Sequence, residues 1–128
     1  MPFDWKNFLI LADELARKFD EASKRTAISR AYYCVFNLAI TQAVSNVGPR
    51  PQRTPSHKWC WEQYIGTPDL ACRQLGIDGQ RMMQRRRKAD YDPKDNPRLD
   101  DDVLRMLEEA HQFVAHLAGL DPKYPRRP

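Results

Sequence analysis

The sequence lacks a long apolar run. No stretch approaches the roughly 20 consecutive apolar residues that a membrane-spanning helix needs. The N-terminal stretch MPFDWKNFLILADEL soon meets Asp13 and Glu14, which is typical of an amphipathic helix and not of a signal peptide. We therefore expect a cytoplasmic protein with no membrane partner.

Motifs of metal sites, cofactor sites and common nucleophile sites are missing as well. The 3 Cys and 3 His show neither CxxC nor HExxH spacing, so we expect reduced core thiols and no metal ion. A P-loop, a Rossmann fingerprint and a GxSxG elbow are absent too. The sequence thus predicts no cofactor.

The composition suits one small domain with a basic segment. With 128 residues, 41% of them hydrophobic and 30% charged, we expect one domain with one core. The net charge is +4, and basic residues are densest in RMMQRRRK, residues 81–88. A basic cluster of this density is compatible with phosphate contacts on a nucleic acid. A solvated helix face with acidic residues nearby is the alternative.

Helical periodicity runs through most of the chain. Apolar residues recur at steps of three and four, and no segment alternates as a strand would. This pattern predicts an all-α fold, an antiparallel up-and-down bundle of four to five helices. We expect the bundle to occupy residues 1–120 as a single domain, followed by a polar C-terminal tail over residues 121–128. The helix over about residues 22–46 is apolar on more than one face and should be the central one.

Capping residues and glycines indicate where the helices end. We expect the first helix to run from the N-cap Asp4 to about Asp20, with Phe19 on its apolar face, and the second to stop at Gly48. We expect a third helix that is capped by Ser56 and ends at Gly66, and a last helix over 101–119 that is capped by Asp100. Between them, a fourth helix should be capped by Thr67, break near Gly76 and Gly79, and resume to Tyr91.

A polar strip interrupts the central helix in SRAYYCVFN, residues 29–37. Arg30 and Asn37 are seven residues apart, close to two helical turns, so they lie on one side of the helix. Tyr33 is one turn from both. Burying an Arg without a partner is costly, so this Arg must find an acid, reach water or meet a ligand.

A second polar motif lies in RRRKADYD, residues 85–92. Arg86 and Asp90 are four residues apart and face the same way. Asp90 is also placed to offer its carboxylate to Arg30 across the bundle. Such a network of Arg, Asp and Tyr either ties two helices together or forms a site, and the residues alone leave both open.

Together the two motifs resemble the HEPN superfamily (higher eukaryotes and prokaryotes nucleotide-binding), and more narrowly its small stand-alone bacterial and archaeal proteins. SRAYYCVFNLA is similar to the family pattern SR-x-YY-x-x-F-H, and RRRKADYD to R-x-x-ADY near the end of a later helix. The resemblance covers about residues 4–118. It implies a helical bundle that commonly dimerises. Many such proteins are metal-independent ribonucleases in toxin–antitoxin or phage-defence systems, encoded beside a nucleotidyltransferase that neutralises them.

The chain departs from the family's catalytic signature, which is Arg, four to six residues, then His. Arg30 matches the Arg, but Asn37 stands where the His belongs. A His of pKa about 6.5 exchanges a proton at neutral pH, whereas an Asn amide only hydrogen-bonds a phosphate or a 2′-OH. His57 matches a His often seen in this group and is the best replacement. His111 and His116 are expected to have packing or solvent roles.

The resemblance implies two alternative functions. The candidate catalytic residues are Arg30, Asn37 and His57, and the candidate substrate- or phosphate-binding residues are Tyr33, Arg86, Arg87, Asp90 and Tyr91. One interpretation is a degenerate module that binds RNA, a nucleotide or a protein partner such as a nucleotidyltransferase-type antitoxin. The other is an active metal-independent endoribonuclease that cleaves RNA through 2′-OH attack.

A homodimer is expected from the resemblance and from the tryptophans. Trp59 and Trp61 are two residues apart on one helix, so both cannot face the same core. We therefore expect one of them to be exposed at an interface between two copies.

Overall fold

The computed structural model describes residues 2–126 and arranges them as a helical bundle. Residue 1 and the last two residues of the predicted tail lie outside the described residues. The helices are α1 Lys6–Leu15, α2 Glu21–Val47, α3 Ser56–Gly66, α4 Leu70–Tyr91 and α5 Leu99–Gly119. No strand occurs in the described range. The prediction of an all-α bundle is confirmed, with five helices.

Helix α2 is the centre of the bundle. It packs against each of the other four helices, and its buried residues cover more than one face. It begins where the Asp20 carboxylate accepts the Ser23 N–H at 2.9 Å. It stops at Gly48, whose φ of 111° is strained for any residue with a Cβ atom. The predictions of a central second helix and of its glycine stop are confirmed.

Both tryptophans of α3 are buried. Trp61 is fully enclosed, and its ring meets Phe113 of α5 edge-on at 5.9 Å between centroids. Trp59 is only 6% exposed. The expectation that one of them is exposed is wrong, because α3 packs against both α2 and α4 and so buries more than one face.

Helix α4 runs unbroken through both of its glycines, so the expected break near Gly76 and Gly79 is wrong. The glycines serve the packing of α3 instead. A Cβ atom on Gly79 would lie 2.4 Å from the Trp61 ring, and one on Gly76 would lie 2.6 Å from the Ile65 side chain. Close contact between α3 and α4 therefore requires glycine at these positions.

The first helix is shorter than expected. It ends at Leu15, five residues before Asp20, because Asp20 caps the start of α2 and the chain must reverse between them. Phe19 thus lies in the turn and is 95% exposed, which corrects its placement on an apolar face. Asp4 still helps the helix start, since its carboxylate accepts the Lys6 N–H at 3.0 Å.

Three later helices begin at positions other than those predicted. Asp69, and not Thr67, caps α4, since its carboxylate accepts the Cys72 N–H at 2.9 Å. Ser56 is the first residue of α3, preceded by Pro55. Asp100 lies inside the first turn of α5, where its charge favours the positive end of the helix dipole.

The residues after α5 fold back on the bundle. The amide groups of Gln42 and Asn46 on α2 donate to the Tyr124 carbonyl at 2.7 and 2.9 Å. Pro125 is fully buried, and the Arg126 N–H donates to the Thr67 hydroxyl at 3.2 Å. This part of the predicted polar tail is thereby held against α2 and the end of α3.

The three cysteines are buried and free, as the sequence predicts. Within residues 2–126, no helix combines the length and the apolar character that crossing a membrane requires.

Candidate functional site

Helices α2 and α4 bring the two polar motifs side by side. The Ser29 hydroxyl of α2 donates to the Asp90 carboxylate of α4 at 3.2 Å. The Arg86 guanidinium carbon lies 5.3 Å from the Tyr32 ring centroid and 5.5 Å from that of Tyr33. We call the group formed by Arg30, Tyr33, His57, Arg86, Asp90 and Tyr91 the α2–α4 site.

Arg86 is a buried cation with incomplete pairing. It is only 5% exposed, and its Nε atom has no hydrogen-bond partner among the described residues. Its nearest carboxylate oxygen, on Asp90, is 3.6 Å from Nη1, which is too long for a hydrogen bond. The Tyr91 ring completes the aromatic surroundings at 5.8 Å. Ring faces attract a cation, but they leave the guanidinium N–H groups free to donate.

Arg30 does not pair with Asp90, contrary to the predicted contact across the bundle. Its guanidinium carbon lies over the Phe8 ring of α1 at 4.8 Å and over the Tyr33 ring at 5.1 Å. Asp90 instead faces Arg86 and accepts from Ser29. Arg30 is partly exposed, and within residues 2–126 its guanidinium contacts ring faces without forming an ion pair, so its N–H groups remain able to bind an anion.

Asn37 is turned back onto its own helix. Its side-chain amide donates to the Tyr33 carbonyl at 2.7 Å, one turn earlier. A side chain of this kind cannot titrate near neutral pH, and here its donor is already engaged. The structure therefore places Asn37 beside the α2–α4 site as a backbone-bonded residue.

His57 closes the site from the first turn of α3. Its Nδ1 atom lies 2.7 Å from the Tyr32 hydroxyl, and its ring stacks on Phe36 at 3.9 Å between centroids. The Tyr33 ring meets it edge-on at 6.0 Å. The structure thus brings His57 next to the motif on α2, although the Pro-rich loop separates them along the chain.

The surroundings of His57 oppose its protonation. Burial lowers its pKa from 6.5 to about 4, and the positive charges of Arg86 and Arg87 act in the same direction. The imidazole is therefore neutral at pH 7. A group of this pKa is a poor general acid or base at neutral pH, where catalysis favours a pKa near the working pH.

Basic residues of α4 divide into paired and unpaired ones. Arg85 contacts the Glu109 carboxylate at 2.9 Å, and Arg81 contacts Asp78 at 3.0 Å. Arg87 and Lys88 are exposed and form no ion pair within residues 2–126. Of the five basic residues of the predicted cluster, Arg81 and Arg85 are thus paired with acids and Arg86 is buried. Arg87 is exposed close enough to His57 to affect its pKa, whereas Lys88 lies on the Arg85 side of α4, away from the α2–α4 site.

Tyr91 presents an aromatic surface at the edge of the site. It is 74% exposed, although it also flanks the buried Arg86 guanidinium. An exposed aromatic ring beside cations can stack on a nucleobase. Tyr33 is partly buried between Arg30 and His57, so it shapes the site more than it offers a free face.

Three residues that the sequence did not single out as site residues support the others. Tyr32 bonds His57, Trp61 bonds Tyr32 through its Nε1–H at 3.1 Å, and Ser29 bonds Asp90. Ser29 and Tyr32 belong to the same motif as Arg30, which was the available signal. For Trp61 the sequence held no such signal, because it does not show which polar atom will accept the hydrogen bond of a buried indole.

The side chains that meet at the α2–α4 site are mainly cationic and aromatic. In the described part of the chain, no group of three or more His, Cys, Asp or Glu is placed to ligate a metal ion. The site brings together guanidinium groups, tyrosine rings, a neutral imidazole and the Asp90 carboxylate. No family model, no curated protein and no solved structure matches the chain.

Proposed function

We propose that the chain is a helical module of the HEPN type that binds single-stranded RNA at the α2–α4 site without cleaving it. The family part of the proposal rests on the two motifs, which lie side by side on α2 and α4. The ligand part rests on the chemistry of the site, where cations adjoin an exposed aromatic ring.

The single observation that carries the proposal is the state of Arg86. A buried guanidinium normally has its N–H groups bonded, because an unpaired buried charge destabilises the fold. Arg86 keeps one N–H unbonded within the described residues and lies beyond hydrogen-bond distance from Asp90. The Nε atom itself is enclosed, so an RNA phosphate at the edge of the site would bond the Nη groups of Arg86, with Arg30 as a second donor.

Two features favour binding over cleavage. Asn37 supplies no proton acceptor at the position where the family has His. His57 is neutral, its Nδ1 atom is already bonded to Tyr32, and its pKa of about 4 lies far from neutral pH. General acid–base attack by a 2′-OH needs a group that both takes and gives a proton, and this site offers none that does so near pH 7.

The exposed residues around the site suit a single strand. Tyr91 offers a stacking surface for a base, and the exposed Arg87 offers its charge to the backbone phosphates. Duplex RNA keeps its bases stacked on one another, so Tyr91 selects unpaired nucleotides. Aromatic stacking contributes about 1–3 kcal/mol per base.

The test is the affinity for a short fluorescent single-stranded RNA, measured by anisotropy at several salt concentrations. Arg87→Ala should weaken binding and reduce the salt slope by about 0.7, the release expected from one phosphate contact on a single strand. Arg105→Ala is the matched control, since Arg105 is equally an exposed arginine but lies on α5 beside Asp101 and Glu108. Equal losses for both variants would show non-specific attraction and overturn the site assignment.

Stacking is tested separately at Tyr91. Tyr91→Ala should weaken binding about tenfold, whereas Tyr91→Phe keeps the ring and should stay within about twofold of wild type. An unchanged affinity for Tyr91→Ala would remove the base-stacking part of the proposal. Absence of binding by the wild-type chain at low salt would overturn the proposed function as a whole.

We place this module in the cytoplasm, as part of a toxin–antitoxin or defence system and as a homodimer, on the family resemblance. A nucleotidyltransferase-type protein is the partner that the resemblance implies. The tryptophans no longer support the dimer, but the exposed side chains of Phe19 and Leu104 line one groove and suit an interface. Sedimentation tests this part, and a monomer at high protein concentration would contradict it.

A further inference from the structure

Two hydrogen bonds link the core to the α2–α4 site through Tyr32. The Trp61 Nε1–H donates to the Tyr32 hydroxyl oxygen at 3.1 Å. The same hydroxyl lies 2.7 Å from Nδ1 of His57. Trp61 and Tyr32 are both fully buried, so neither can exchange these partners for water.

The chemistry of the three groups sets the direction of both bonds. An indole N–H only donates, so the Tyr32 oxygen must accept from Trp61. The hydroxyl has one proton, and burial raises the pKa of Tyr32, so that proton stays in place. Donation to Nδ1 gives the proton an acceptor. The reverse arrangement, with an Nδ1–H donating to the oxygen, leaves a buried hydroxyl proton unbonded.

The imidazole ring is also fixed in orientation. It stacks on Phe36 at an interplanar angle of 16° and lies nearly parallel to the Tyr32 ring at 19°. A flip of the ring would exchange Nδ1 for a carbon at the hydroxyl and break the bond. The stack and the bond therefore hold one face and one edge of His57.

We propose that Tyr32 is a positioning residue that fixes His57 as its Nε2–H tautomer, so that His57 offers a neutral N–H donor to a phosphate oxygen of bound RNA. Nδ1 accepts the Tyr32 proton, and the single proton of the neutral ring therefore resides on Nε2. The hydrogen bond to RNA rests on the proposed function. The tautomer does not, because it follows from the contacts of the chain itself.

A donor of this kind complements the arginines. Arg30 and Arg86 supply charge, whereas a neutral N–H adds direction without adding to the repulsion between cations. The lowered pKa of His57 keeps this donor unchanged through the neutral pH range. The site thus gains a third donor by tautomer control, where the family pattern places a titrating His on α2.

The first experiment is long-range ¹H–¹⁵N correlation NMR of the wild-type chain near pH 7. His57 should show the pattern of the Nε2–H tautomer, with Nδ1 shifted far downfield of Nε2, and His57→Gln assigns the signals by their loss. A coupling across the hydrogen bond from the Tyr32 hydroxyl proton to Nδ1 should also appear. A dominant Nδ1–H tautomer, or a rapidly exchanging mixture in the wild-type chain, would overturn the proposal.

The second experiment asks whether Tyr32 is the cause. Tyr32→Phe should shift His57 to a tautomer mixture, while Tyr64→Phe should leave it unchanged. Tyr64 is the matched control, because it is also fully buried and its hydroxyl donates to the Ala39 carbonyl at 2.7 Å. A pure Nε2–H tautomer in Tyr32→Phe would refute the role of Tyr32. Should that variant not fold, the wild-type tautomer and the coupling across the bond decide.

RNA affinity separates this inference from the proposed function. Tyr32→Phe should bind single-stranded RNA about fivefold more weakly, the effect of one neutral hydrogen bond, and Tyr64→Phe should bind as the wild type does. Wild-type chain that shows the expected tautomer but no RNA binding overturns the proposed function and the use of the donor. Wild-type chain that binds RNA with the wrong tautomer overturns only the inference.

Discussion

At the scale of single residues, His57 makes the stability of the fold depend on pH. The pKa of His57 is about 4 in the fold and near 6.5 in the unfolded chain. Between pH 4 and pH 6.5, the unfolded chain therefore binds a proton that the folded chain does not bind. The free energy of unfolding should therefore fall as the pH is lowered from 6.5 to 4. Above pH 6.5, the contribution of His57 to this free energy should no longer change with pH. Partial exposure limits the change to about 2 kcal/mol.

The check is urea denaturation of wild type and His57→Gln across this range. The variant does not titrate at this position, so the difference between the two proteins should change with pH and level off above neutrality. Carboxylates titrate equally in both and cancel in the difference. A difference that stays constant from pH 7 to pH 4 would show that His57 takes up its proton as readily in the fold as in the unfolded chain, and would contradict the lowered pKa.

Gly79 is a second residue whose effect is set by one contact. Its Cβ position lies 2.4 Å from the Trp61 ring, a rigid group that has no room to move. Gly79→Ala should therefore lower the free energy of unfolding by about 1–3 kcal/mol, although alanine is the better helix former. Gly119→Ala is the control, since no atom lies within 4 Å of its Cβ position and the change should stay within about 0.5 kcal/mol. The shift of the urea midpoint at constant slope measures the change in the free energy of unfolding for each variant. If Gly79→Ala were as stable as wild type, α3 and α4 would have to separate easily to make room for the methyl group.

At the scale of elements, Arg25 fastens the end of α4 to α2. Its guanidinium donates to the carbonyl of Ala89 at 3.1 Å, to that of Lys94 at 2.9 Å and to that of Asp92. These carbonyls lie at the end of α4 and in the following loop, where no further helical turn supplies N–H groups to them. Arg25→Ala should lower the free energy of unfolding by about 2 kcal/mol, since hydrogen bonds to a charged donor are the stronger kind.

The effect of Arg25 should be local. Trypsin cleavage after Lys94 should be faster in Arg25→Ala. It should change less in Arg25→Lys, which keeps the positive charge but lacks the several N–H donors of the planar guanidinium. Arg17→Ala removes an exposed arginine elsewhere and should leave the cleavage unchanged. An unaltered cleavage rate in Arg25→Ala would show that the loop is held by other contacts.

The helices themselves were predictable because periodicity is a local property of the sequence. Their ends were not, because several residues compete for each cap and packing decides between them. Asp69 lies two residues after the predicted cap Thr67, whose hydroxyl is instead engaged with the Gln63 carbonyl at 2.9 Å. The glycines of α4 are similar. Each costs a helix about 1 kcal/mol, which suggests a break, but the packing of Trp61 against Gly79 outweighs that cost.

At the scale of the whole molecule, the sequence indicated which motifs form the candidate site but not which of their side chains pair. The motifs lie on facing sides of α2 and α4, so the packing of these two helices brings them together. The pairing within the site depends on distances that only the fold supplies. Asp90 faces Arg86, its neighbour one turn away, and not Arg30. The bond from Tyr32 to His57 spans 25 residues of sequence and depends on how α3 docks.

The last prediction separates a binding module from a nuclease. Purified wild-type chain, incubated with mixed tRNA and mRNA in EDTA, should leave the RNA intact, because no group at the α2–α4 site exchanges a proton near neutral pH. Asn37→His completes the Arg–His signature with Arg30 and places on α2 an imidazole, a group that can both take and give a proton. If the module is a retired nuclease, this variant should cleave. The double variant with Arg30→Ala should then lose the activity while keeping its melting temperature. Cleavage by the wild-type chain that disappears in Arg30→Ala alone would contradict the proposal and establish an active endoribonuclease.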